Sequence, residues 1–166
     1  MTIILEEGYQ TNLGALLIPL RKQIESLNWL VTNLQCWTLG DWSPLIDAWQ
    51  TQSDSSESGY TVVSGKELYD TFAGQAIQVV WGVFCGVAGV VPTLTHEKVP
   101  YADGNRRIWS EPEMFQLAGS EIEIIAFDSS FTLLNFRDEA LGRQFLAAFP
   151  DGRIIQSPDD MLKSYQ

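Results

Sequence analysis

A chain of 166 residues with 45% hydrophobic side chains can bury one core without disulfides or a structural metal, and it fits a single domain over 1–166. Its 21 acidic against 10 basic residues give a formal net charge of -11. That field repels phosphate backbones and anionic headgroups, so no direct nucleic-acid partner and no membrane is expected, and a basic protein is the natural partner.

The opening MTIILEEGYQ has neither the basic n-region nor the long apolar stretch of a secretory signal and reads as cytoplasmic. Residues 2–6 form a short strand. Leu13, Leu16, Leu17, Leu20, Ile24 and Leu27 then recur at spacings of three and four, the stripe of an amphipathic helix. Thr11 or Asn12 would cap this helix, and Pro19 would kink it or begin its second half. Residues 28–38 read as a strand from their branched and aromatic content. GDWSP is a turn, PLIDAWQ a possible short helix, and TQSDSSESG a polar tip expected to be mobile.

YTVVS is a strand, and Ser64-Gly65-Lys66-Glu67 matches a capping box that opens a helix running to Ala73 and stopped by Gly74. A long apolar strand follows from Ile77 to about Val91, its glycines marking bulges or close contacts. SEIEIIAFDSSFTLLNF is a hairpin turning at Asp128-Ser129-Ser130, with Glu121 and Glu123 on a wet face. Asp138 and Glu139 open a last helix carrying Leu141, Phe145 and Phe149, closed by Pro150-Asp151-Gly152. The order implies an α+β fold: a mainly antiparallel sheet of about five to six strands with two to three helices packed on one side.

Zinc needs about four Cys or His ligands at short spacings. This chain has one His and two Cys, 49 positions apart. Cys36 and Cys85 lie among apolar residues and read as reduced, buried thiols. Cys85 with His96 as base is a formal nucleophile pair, but an apolar setting would raise the thiol pKa. The nucleotide, phosphate-loop and hydrolase signatures are absent, so no cofactor is expected. Glu121, Glu123 and Asp128 could hold a cation or act as acid and base, or simply be the solvated side of an edge hairpin.

The sharper signal is the stretch from Gln23 to Gly65. It has no Lys or Arg, five carboxylates (Glu25, Asp41, Asp47, Asp54, Glu57) and four of the six tryptophans (Trp29, Trp37, Trp42, Trp49). Aromatics supply contact area and acids supply steering, as a binding face for a basic protein requires. Trp42 and Trp49 are expected to be accessible. On the competing reading, Trp29 and Trp37 are core strand residues and the acids are merely solvated. In VPYADGNRRIWSEPE, residues 99–113, Arg106, Arg107 and Trp109 offer a second contact. Asp103-Gly104-Asn105 is first of all a tight turn there, and Arg106 would pair with Glu111 or Glu113.

The C-terminal half, with PYADGN, a following Trp, and EIEIIAFDSSFTLL running into RDEALGRQFLAAFPD, resembles small uncharacterised bacterial cytoplasmic proteins. In size, charge and plan the chain resembles immunity proteins of bacterial polymorphic toxin systems, which are acidic α+β domains without catalytic motifs. The resemblance implies a non-enzymatic protein that neutralises a basic toxin or nuclease domain by occluding its active site. Asp41, Trp42, Asp47, Trp49, Asp54 and Glu57 form the main face in this reading, and Arg106, Arg107 and Trp109 the second. The alternatives are a small enzyme or ligand-binding protein using Glu121, Glu123, Asp103 and Arg106 between loop and hairpin, or a homodimer formed through the Trp-rich segment.

Overall fold

The computed structural model describes residues 1–6, 11–38, 46, 48–49 and 59–161. The strands are β1 (Thr2–Leu5), β2 (Asn28–Thr38), β3 (Tyr60–Ser64), β4 (Ile77–Val87), β5 (Ser120–Phe127), β6 (Phe131–Phe136) and β7 (Arg153–Ile155). They form one antiparallel sheet in the order β3-β2-β4-β5-β6-β1-β7. The α+β class is as expected, with seven strands among the described residues where five to six were predicted. The added strand β7 is three residues long, too short to leave a periodic signature.

The helices whose bounds fall among the described residues are α1 (Leu13–Leu16), α2 (Arg21–Ser26), α3 (Gly65–Phe72), α4 (Arg107–Ser110), α5 (Glu139–Ala148) and α6 (Pro158–Met161). Pro19 lies in a 3-10 turn, Ile18–Leu20, that separates α1 from α2, so the predicted amphipathic stripe is interrupted but not reoriented. Leu13, Leu16, Leu17, Leu20 and Ile24 are all fully buried. Asn12 caps α1, its Oδ1 accepting from Ala15 N at 3.4 Å. Ser64 caps α3 by accepting from Glu67 N at 3.2 Å, and Asp138 caps α5 by accepting from Ala140 N at 2.8 Å.

Gly65 answers to packing as well as to the cap. A Cβ there would stand 1.8 Å from the Ile24 carbonyl oxygen, because the start of α3 presses against the end of α2. Gly86 plays a similar part in β4, where a Cβ would lie 2.8 Å from both Leu27 Cδ1 and Trp29 Cζ2. A register shift against β5 falls between Gly86 and Val87. The strand ends there, short of the Val91 expected, and the chain turns at Gly89 with φ of 82°.

Both faces of the sheet are covered. Ile3, Trp29, Phe84, Ile124, Leu134 and Phe136 share a core with buried side chains of α1, α2, α3 and α5. Ile4, Leu30, Val83, Cys85, Ile125 and Leu133 form a second core with Ala102, Ile108 and Leu117 of the 88–119 connection and Met161 of α6. The predicted arrangement of helices on one side holds for the first core only. The hairpin face expected to be wet is instead roofed by the connection that contains residues 99–113.

Candidate functional site

The 99–119 segment is fastened to the sheet at several points. Thr32 Oγ1 donates to the Pro100 carbonyl at 2.8 Å from β2. Asp103-Gly104-Asn105 is the tight turn the sequence predicts, with Gly104 at φ of 73° and Asn105 N donating to Ala102 O at 3.1 Å. Asn105, only 5% exposed, ties the turn together. Its Nδ2 donates to Tyr101 O at 2.9 Å and to Gln116 Oε1 at 3.0 Å, while its Oδ1 accepts from Arg107 N at 3.1 Å. Ile108 of α4 then enters the second core, and Trp109 lies edge-on to Phe127 and Phe131, at ring distances of 5.3 and 5.4 Å.

The strongest anchor comes from beneath. Glu123, in the middle of β5, is fully buried opposite Cys85 of β4 and Asn135 of β6. Gln116 N donates to Glu123 Oε2 at 2.9 Å, Leu117 N to Oε1 at 3.1 Å, and the Cys85 thiol to Oε1 at 3.2 Å. Burial pushes the Glu123 carboxyl above its ordinary pKa, against the backbone N–H groups of Gln116 and Leu117 and the Cys85 thiol, which favour the charged form. The thiol of Cys85 is raised well above its usual value, first by burial and then by the Glu123 charge. Arg137 closes the end of the segment. Its Nε and one terminal nitrogen donate to Ser120 O and Ala118 O, both at 2.8 Å, with the guanidinium 4.6 Å from the Phe115 ring centre.

This arrangement overturns the paired-carboxylate expectation. Glu121 and Glu123 have the same parity on β5, yet Glu121 is exposed and Glu123 is a buried anchor. Asp103, Arg106 and Asp128 are exposed as well, so the carboxylate and Arg set proposed between loop and hairpin does not assemble around Glu123. Cys85 is not an activated nucleophile, and His96 sits exposed in a separate 3-10 turn. Among the described residues no group of three or more His, Cys, Asp or Glu stands close enough to hold a metal ion. No helix among them is long and apolar enough to cross a membrane.

Of the residues expected to face a partner, Asp41, Trp42, Asp47, Asp54 and Glu57 lie outside the described residues, as does the polar tip expected to be mobile. Trp49 is only 4% exposed and packs on Phe72 at a ring distance of 6.1 Å, which corrects the expectation that it is accessible. Its large apolar ring is drawn into the first core under α3. Trp29 is fully buried, but Trp37 is 73% exposed, so only one of the two is a core strand residue. Arg106 is exposed, Trp109 half-buried, and Arg107, not Arg106, pairs with Glu111 at 3.0 Å because Glu111 caps the C-terminus of the helix that Arg107 begins, four residues on.

Within the 94–118 stretch, with Ile125 of β5 also on its lining, lies a cleft of about 470 Å³, with Leu94, Ile108 and Leu117 among its apolar walls and Lys98, Arg107 and Gln116 among its polar ones. Sequence reasoning named Glu123 on a wet face and not as a buried anchor, and it missed Gln116 and Arg137. A signal for Glu123 was present, since Ile125 and Phe127 share its side of β5 and mark that side as covered. Comparison with protein-family models, with curated proteins and with solved structures finds no match to this chain.

Proposed function

We propose that the chain is an acidic, non-enzymatic binding protein, an immunity-type inhibitor of the bacterial cytoplasm that neutralises a basic toxin or nuclease domain by covering its active site. The observation that carries this reading is Trp37, 73% exposed at the end of β2. It stands within the stretch from Gln23 to Gly65 that has five carboxylates and no Lys or Arg. A large ring left in water is the kind of residue that anchors a protein interface, and surrounding carboxylates accelerate encounter with a cationic partner. Cys36 packs on the first core, so its neighbour Trp37 projects to the second face, the side roofed by the segment carrying Arg106 and Trp109. Trp37 thus replaces Trp49 in the proposed binding face, with Asp41 and Asp47 as steering charges.

The test uses the partner recovered by co-purification from the native source. Trp37→Ala should weaken the complex about tenfold or more. Joint Asp41→Lys and Asp47→Lys should slow association by at least about tenfold at low salt, and less as salt rises. Unchanged affinity and association rate in both variants would overturn the reading. A complex consisting only of this chain, dissolved by Trp37→Ala in light scattering, would replace it with a homodimer.

A further inference from the structure

We infer that Asp103–Gly104 is a site of spontaneous covalent modification, at which the chain isomerises to an isoaspartyl link, and that the fold protects the second Asp-Gly pair, Asp151–Gly152. This does not rest on the inhibitor reading, since it follows from the backbone of two turns and needs no partner.

The step needs only water. The Gly104 amide nitrogen attacks Asp103 Cγ. A C–N bond forms, a carboxyl C–O bond breaks, and the departing hydroxyl takes the amide proton and leaves as water. A second water then opens the cyclic imide. Attack at Cγ restores Asp103, while attack at the α-carbonyl leaves the main chain running through Cγ, one carbon longer, with the α-carboxylate as a branch. Glycine favours the first attack because it has no side chain to crowd the nucleophile.

The two pairs differ in what holds the attacking nitrogen. Gly104 N donates to no group among the described residues, because the turn closes one residue later, with Asn105 N on Ala102 O at 3.1 Å. Asp103 and Gly104 are both exposed. A Cβ on Gly104 would meet nothing within 4 Å, so the imide ring has room on that side. Gly152 is clamped instead. Its nitrogen donates to Phe149 O at 3.0 Å, and a Cβ there would stand 2.9 Å from Leu146 Cδ2 and 3.1 Å from Leu5 Cδ2. The next residue, Arg153, is paired with Ile4 in the sheet, so freeing Gly152 for attack unpacks the start of β7.

The modification strikes the tie that holds the roof together. Asn105, the following residue and only 5% exposed, joins Tyr101 O, Gln116 Oε1 and Arg107 N. A main chain one carbon longer just before it displaces Asn105 from these partners and loosens the turn that carries Arg106.

The full chain, folded at neutral pH, is aged for several weeks below its Tm beside a sample unfolded in guanidinium chloride. Isoaspartate is located by peptide mapping with electron-transfer fragmentation, and confirmed by methyl transfer from S-adenosylmethionine with an isoaspartyl methyltransferase. In the folded chain Asp103 should convert at least about tenfold faster than Asp151, the factor that a retained hydrogen bond imposes on the barrier. In guanidinium chloride the two rates should agree within about threefold, since both are then Asp-Gly in an open chain. Asp103→Glu, at an exposed position, should abolish the signal there at an unchanged Tm, because its imide is a larger ring that forms slowly. In the isolated isoaspartyl form, amide exchange should accelerate at Asn105 and Arg107 while β2 and β4 keep their protection. Equal rates at the two pairs in the folded chain overturn the inference, as does slower conversion at Asp103 or a ratio that persists in guanidinium chloride.

Discussion

The thiol of Cys85 donates to Glu123 across 3.2 Å inside a fully buried site, and the same carboxylate receives the backbone of Gln116 and Leu117. One side chain of the sheet thereby holds the segment that roofs it. Removing that side chain leaves two backbone N–H groups and a thiol without their acceptor. Glu123→Ala should lower unfolding stability by on the order of 3 kcal/mol. Amide exchange should accelerate at Gln116 and Leu117 before it does in β2 or β4, and urea titration with exchange measurements checks both.

The raised carboxyl of Glu123 also sets a pH dependence. A folded-state pKa above the unfolded one means the folded chain holds the proton more tightly. Its contribution is then complete below the unfolded carboxyl range and is lost as pH rises through the folded value. The stability of the native sequence minus that of Glu123→Gln should therefore be greatest at acidic pH. It should fall toward neutrality by at most about 1.4 kcal/mol per pH unit. Urea midpoints from acidic to neutral pH measure it, and a difference that grows with pH would contradict the assignment.

The two cysteines should separate by reactivity. Cys36 is half-buried and Cys85 fully buried, with a thiol pushed well above its ordinary range. A disulfide-exchange reagent at neutral pH should modify Cys36 in the folded protein. Cys85 should react only at the rate of unfolding, so its labelling should speed up with urea in step with the global transition. Mass mapping of the labelled peptides distinguishes the two.

Gly65→Ala should cost on the order of 3 kcal/mol, since its Cβ would meet backbone oxygens of Ile24 and Leu27 and not a side chain able to move. Lys66→Ala, one residue on, removes only an exposed pair with Asp70 and should change stability by less than about 1 kcal/mol. Thermal unfolding of the two variants side by side gives the comparison.

How much of this was legible beforehand follows from the range of each interaction. The caps at Asn12, Ser64 and Asp138 are local, written within three residues of the helix they begin, and they are where the sequence predicts them. The stripe from Leu13 to Ile24 is legible for the same reason, and even Pro19 only breaks the helix without turning its face. What periodicity does not carry is the cover over the second face. Whether Glu123 is wet or dry depends on a segment from 88 to 119 that has little regular structure, and on Gln116 and Leu117 supplying donors from outside the sheet. The tryptophans illustrate the same gap. Trp37 and Trp49 look alike in composition, and only the packing of Phe72 against Trp49 assigns one to the interior and leaves the other outside.

Strand β1 lies between β6 and β7, so Thr2 and Ile4 pair with Asn135 and Leu133 on one side and with Ile155 and Arg153 on the other. During synthesis the first strand emerges long before either of its partners exists. Ile3, Ile4 and Leu5 stay unpaired until residues 132–135 and 153–155 have been made. Closure of the sheet across β1 therefore follows synthesis of everything between β1 and β6, costs loop-closure entropy over that span, and leaves β1 a sticky, unpaired strand in the meantime.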